Sequence, residues 1–63
     1  MTLRDEVYYP EHSDGKVKIR VGIITGIIDD HYIIRATTDR IIHRCKEHCY
    51  PTLEDARHEY PRT

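Results

Sequence analysis

Tryptophan, phenylalanine, asparagine and glutamine are absent from this 63-residue chain, and serine occurs once. The first four absences remove the best stacking rings and the usual adenine-reading amides, which weakens any base-reading role. The single serine, Ser13, stands among turn formers, so no serine lies near His31 in sequence to complete a nucleophile–base pair. Glycine is scarce, and Gly15, Gly22 and Gly26 have the spacing of turns and bends, not of a phosphate-binding loop. No apolar run approaches the roughly 18 residues of a membrane span. The opening MTLRDEVYYP lacks the apolar segment of a signal peptide. Neither sign of charge dominates: ten Lys and Arg stand against eleven Asp and Glu, so no strong net field draws the chain to nucleic acid or an anionic membrane. These absences point to a cytoplasmic protein with two reduced cysteines, no membrane association, no cofactor and no small-molecule substrate.

What the chain does have is isoleucine in pairs: Ile23-Ile24, Ile27-Ile28, Ile33-Ile34 and Ile41-Ile42. Successive strand residues point to opposite faces, so each pair puts a branched apolar side chain on both sides of its sheet. One face can be buried inside the domain. The other has to be covered by barrel closure, by the C-terminal segment or by another chain. A chain of about 60 residues buries only roughly 60% of its unfolded surface, which leaves a domain this small marginal without a staple or a partner.

One domain over residues 1–63 is expected. Residues 1–4 read as a short tail and residues 5–9 as a first strand stopped by Pro10, with PEHSDG as a mobile surface loop. Residues 16–28 carry the strongest strand signal, because Val17, Ile19, Val21, Ile23 and Ile27 alternate with Lys16, Lys18, Arg20 and Gly22. Gly22 and Gly26 are where so long a strand bulges or bends from one sheet to the next. Asp29-Asp30-His31 reads as a turn, 32–36 as the third strand, Thr37-Thr38-Asp39 as another turn and 40–45 as the fourth strand. Residues 52–60 read as a helix capped by Thr52, with Asp55 in the reciprocal capping position. Its stripe of Leu53, Ala56 and Tyr60 is suited to cover an open barrel end.

The segments RDEVYYP, KVKIRVGIITGII, HYIIRA and YPTLEDA together resemble the small stand-alone SH3-like barrels of bacterial, plasmid and phage genomes. In many of these, a polar-Asp-x-Val-Tyr start and a Pro-Thr-x-Glu-x-Ala end bracket the barrel. The resemblance covers nearly the whole chain and implies an all-β, SH3-like barrel of about five antiparallel strands with a short C-terminal helix. Members with known roles are mostly binding modules for proteins or nucleic acids, and the resemblance carries over no catalytic residue. The stretch RIIHRCKEHCY departs from that pattern.

Within that stretch, His43, Cys45, His48 and Cys49 form the right ligand set for tetrahedral zinc, and a metal would help a small domain. Their crowding into seven residues argues against convergence on one ion. The competing reading makes the cysteines small buried groups and the histidines surface residues. Asp29-Asp30 could be a carboxylate pair but sits where a hairpin needs turn residues. Lys16, Lys18 and Arg20 share a strand face and, with Arg35 and the rings of Tyr8, Tyr9 and Tyr32, suggest a nucleic-acid surface; Arg40 and Arg44 could also reach phosphates. The same basic residues read equally as solvated strand surface with partners such as Glu6 or Asp39. Protein docking or self-association accounts for more residues at once: Ile24, Ile28, Ile33 and Ile42 as an apolar patch, with Tyr8, Tyr32, Tyr50 and Arg35 as anchors. Complete barrel closure would instead hide all four pairs. The sequence thus points to a non-catalytic binding or regulatory protein that meets a protein partner or its own copy, with nucleic acid as the alternative ligand.

Overall fold

The structure, a computed structural model, describes residues 2–61. Met1, part of the expected tail, and residues 62–63 at the end of the expected domain lie outside the described residues. Four antiparallel strands follow one another as a meander: β1 (Glu6–Ser13), β2 (Lys16–Ile28), β3 (His31–Ala36) and β4 (Ile41–Cys45). A 3₁₀ turn (Lys46–His48) and one short helix, α1 (Leu53–Glu59), complete the described chain. The sheet curls into a half-barrel: β1 and β4 form its two edges, yet the Arg44 guanidinium of β4 lies 5.4 Å from the centre of the Tyr9 ring of β1.

The first hairpin corrects the sequence reading. Pro10 does not end β1, and PEHSDG is not a loop; the strand runs on to Ser13, and only Asp14-Gly15 turns. The reason lies in the direction of the amides. Tyr8 exchanges both backbone hydrogen bonds with Tyr50 at 2.8 Å, so its N–H points away from β2. Two residues on, Pro10 has its missing N–H on that same outer edge, where no ladder bond is lost. Asp14 and Gly15 take φ of 52° and 72°, the left-handed pair that a two-residue hairpin turn demands. The expected tail is also folded, since the Arg4 N–H donates to the Ile24 carbonyl at 2.7 Å and prolongs the edge pairing.

The isoleucine pairs divide between the faces, and β2 shows how. Its residues pair with β3 as Ile24↔Ile34 and then, past a bulge at Thr25, as Gly26↔Ile33 and Ile27↔Tyr32. The extra residue reverses the alternation, so Ile24 and Ile27 share the concave face although they are three apart. Concave-face residues Val7, Tyr9, Ile24, Tyr32 and Ile34, closed by Cys49 from the returning chain and by half-buried Ile42, form the core. Burying a branched or aromatic side chain of this kind contributes roughly 1.5–3 kcal/mol. Gly22 lets β3 approach this core: a Cβ there would stand 2.5 Å from Ile34 Cγ2 and 2.9 Å from the Arg35 carbonyl oxygen.

The convex face carries the other member of each pair, Ile23, Ile28, Ile33 and Ile41, together with Val17, Ile19 and Val21. Helix α1 packs against β1 and β2, and the cleft beside it is lined by Val17, Lys18, Ile19, Arg20, Arg57 and Tyr60. The Asp55 N–H donates to Thr52 Oγ1 at 3.1 Å, the expected cap, and Ala56 is fully buried. No fifth strand forms among the described residues; its place is taken by the single Tyr8↔Tyr50 bridge that ties the chain after the 3₁₀ turn back to β1.

Candidate functional site

The concave face runs past the core into an open mouth. There the apolar alternation of β2 gives way to Lys16, Lys18 and Arg20, which lie opposite Ser13, Glu11 and Tyr9 in the first hairpin. Arg40 is held at the same mouth by the β3–β4 turn, which the Ala36 N–H closes on the Arg40 carbonyl at 2.8 Å. Arg44 comes from β4, on the core side like its neighbour Ile42. Its Nη1 donates to the His43 carbonyl at 2.9 Å while its plane covers Tyr9. Two adjoining hollows of about 230 and 280 Å³ share Tyr9, Glu11, Ala36, Thr38 and Arg40 as walls.

Charge in this mouth is one-sided. Glu11 meets Arg20 at 3.5 Å, with both side chains substantially exposed, so the pair is weak. Among the described residues Lys16, Lys18, Arg40 and Arg44 form no ion pair. Tyr9 registers the field: burial pushes its phenol up and Glu11 pushes the same way, while Arg44, Arg20 and Arg40 pull against them. Three guanidinium groups around one buried ring, with a single carboxylate among them, make a seat for an anion with several oxygens. Arginine's planar fork of donors is matched to phosphate and carboxylate.

The residues singled out from sequence separate accordingly. Lys16, Lys18 and Arg20 do share a face, and it is the face of Arg40 and Arg44, whereas Arg35 stands on the opposite side between Ile23 and Ile41. Of the expected interface set, Ile24 is fully buried and Tyr32 nearly so, which removes both from any surface. Strand register puts both on the concave face, Ile24 across from Ile34 and Tyr32 across from Ile27, where they join the core. Ile42 also faces inward, packed against the core, and its neighbour Ile41 is the exposed member of that pair. Ile28, Ile33 and Arg35 stay on the convex face, and Tyr8 and Tyr50 are half-buried at the β1 edge, where the Tyr50 ring meets Tyr60 edge-on at 6.1 Å. Tyr8 and Tyr32 therefore offer no free stacking surface beside the basic mouth.

The chain's return takes Cys49 out of the histidine–cysteine cluster, while His43, Cys45 and His48 line one hollow. Cys49 enters the core, its Sγ directed at the Cys45 carbonyl at 3.4 Å. His48 turns toward the Tyr60 hydroxyl at 3.2 Å and Glu47 at 3.3 Å. His43 lies across from Ile33 on the convex face. Among the described residues no group of three or more His, Cys, Asp or Glu side chains is placed to share a metal ion. A different contact forms instead, between Cys45 and His31, which are directly opposite in β4 and β3. Reading His31 as a turn residue hides this pair from the sequence.

Burial of Cys49 has a measurable consequence. It pushes the thiol from 9.0 up to about 11, with Arg44 lowering and Cys45 raising it by smaller amounts. A thiol whose folded value is raised is neutral in the fold and ionises first in the unfolded chain. Its contribution is complete below about pH 9 and is lost as pH rises toward 11. The expected loss is about 2 kcal/mol. Thermal melts between pH 8 and 11 should show a falling midpoint whose slope is reduced in Cys49→Val; an equal slope in the two proteins would refute the assignment.

Comparison with protein-family models, with curated proteins and with solved structures gives no match for this chain.

Proposed function

We propose that this chain is a small SH3-like binding module that acts without chemistry and holds the phosphate backbone of nucleic acid in its basic mouth. The observation that carries this reading is the convergence of Arg20, Arg40 and Arg44 on Tyr9, continued along β2 by Lys18 and Lys16. A meander closed by a 3₁₀ turn and a returning residue pair supports the SH3-like description, with the Tyr8↔Tyr50 bridge standing for a reduced fifth strand. Because no aromatic ring is free beside the mouth, base stacking has little part, and the favoured ligand is duplex backbone over an unstacked single strand.

Neutralising roughly three to five phosphates gives a log–log salt slope of roughly −2.7 to −4.5, so affinity for a labelled duplex should fall about 40- to 500-fold between 50 and 200 mM salt. Fluorescence anisotropy reads this directly. Absence of binding at 50 mM salt, or binding indifferent to salt, would refute the proposal.

A second reading is favoured by the convex face. Ile28 and Ile41 are 52% and 56% exposed beside half-buried Ile23 and Ile33, and β4 ends the sheet. A second copy laid against this face would cover the apolar members that the half-barrel leaves out. A monomeric mass in sedimentation at high micromolar concentration would exclude it.

A further inference from the structure

The side chains of Asp30, His31 and Cys45 make a chain of two contacts through the His31 ring. Asp30 Oδ1 lies 2.7 Å from His31 Nδ1, and His31 Nε2 lies 3.3 Å from Cys45 Sγ. Each member is set by the hairpin. Strand register puts His31 directly across from Cys45, and the Lys46 N–H donates to the Asp30 carbonyl at 2.8 Å, pinning the turn against the end of β4. A carboxylate on Nδ1 selects the tautomer with its proton there, which leaves the Nε2 lone pair facing the thiol. Nucleophile, base and orienting group are thus in hydrogen-bonded order, the arrangement that activates a cysteine. His31 and Cys45 open onto a hollow of about 280 Å³ rimmed by His12, His43, Arg44 and His48, wide enough for a small molecule to reach the half-buried sulfur.

We infer that Cys45 is a covalent modification site, a thiol activated by His31 and Asp30 that exchanges with small anionic disulfides. In the exchange, the Cys45 sulfur attacks one sulfur of the disulfide as its proton passes to His31 Nε2. The disulfide's S–S bond breaks and a new S–S bond to Cys45 forms. The departing sulfur, now reduced, takes up the proton that the imidazolium holds, so Cys45 is oxidised and the leaving thiol is released. Arg44 and the imidazoles of His12, His43 and His48 are the rim groups that a carboxylate-bearing reagent would meet. Cys49 is the internal reference, because it is buried in the core, which pushes its thiol up to about 11.

The test uses the reduced full chain with glutathione disulfide and, separately, iodoacetamide, followed by intact and peptide mass spectrometry. The expected result is a single adduct on Cys45, formed at least 10-fold faster than on Cys49. His31→Gln should slow it at least 10-fold at an unchanged circular dichroism spectrum. Asp30→Asn, which keeps a turn-forming side chain, should slow it several-fold and redistribute the His31 proton between the two ring nitrogens, seen in their NMR shifts. Modification of Cys49 as fast as Cys45 in the folded protein would overturn the inference. So would wild-type rates in a folded His31→Gln; should that variant not fold, a wild-type rate in Asp30→Asn decides against it in the same way.

Discussion

Ile34→Ala is expected to take this domain to the edge of unfolding at 25 °C, while Ile28→Ala leaves it almost unchanged. The two residues are chemically identical and belong to neighbouring strands. Ile34 is fully buried, packed at the centre of the core and touching the close approach at Gly22, whereas Ile28 is 52% exposed on the convex face. Truncating a buried isoleucine removes its transfer free energy and leaves a cavity that rigid neighbours fill only in part, a cost of about 2–5 kcal/mol. A domain of this length has roughly 3–9 kcal/mol in all, at 0.05–0.15 kcal/mol per residue. A 3 kcal/mol loss corresponds to a fall of about 12–24 °C in melting midpoint for so small a domain, against a change within roughly 0.5 kcal/mol for the surface variant. Thermal denaturation followed by circular dichroism separates the cases. Equal midpoints for the two variants would mean that the half-barrel is not where the chain buries its isoleucines.

That contrast also marks how far the sequence could be read. The paired isoleucines announce a two-sided sheet, and each pair does split between faces. Which member of Ile27-Ile28 goes inward was not legible, because it depends on one bulged residue. Counting strictly by twos from Val17 assigns Ile23 and Ile27 to one face, whereas the extra residue at Thr25 sets Ile24 and Ile27 together. The helix was legible because its signals are local: the Thr52 cap, the early carboxylates and the flanking prolines all act within one turn. Pro10 misled for the opposite reason. Its effect depends on whether the strand edge it occupies is paired on that side, and only the fold decides that. The Cys45–His31 pair lay within reach of the sequence. Strands at 32–36 and 40–45 joined by a short turn already imply a register that pairs residue 31 with residue 45, and the sole missing step was to count His31 as strand. The basic mouth was half legible: the row Lys16, Lys18 and Arg20 is written in alternation. Its union with Arg40 and Arg44 needs the sheet to curl, a property of the whole meander.

Neutralising the mouth should change duplex binding in a graded and signed way that the convex face does not reproduce. Deleting one phosphate-binding side chain takes about 0.9 off the log–log salt slope and, at 50 mM salt, costs on the order of 10-fold in affinity. Arg40→Gln and Arg20→Gln should each show this, and the double variant should weaken binding about 100-fold. Arg35→Gln, which removes the same charge from the opposite face, should leave both quantities at wild-type values. Arg44 is the less clean probe, since its plane also covers the core ring of Tyr9 and its loss affects packing. Glu11→Gln is the sharpest member of the set. Its carboxylate is the acidic group set against Arg20 and raises Tyr9 from within the mouth, so removing it frees a guanidinium and deletes a repulsion toward phosphate. Binding should therefore tighten a few-fold at low salt. A merely structural Glu11–Arg20 pair predicts the reverse, a small loss of stability and no gain in affinity. The sign of the Glu11→Gln effect consequently distinguishes a phosphate seat from an ordinary solvated strand surface.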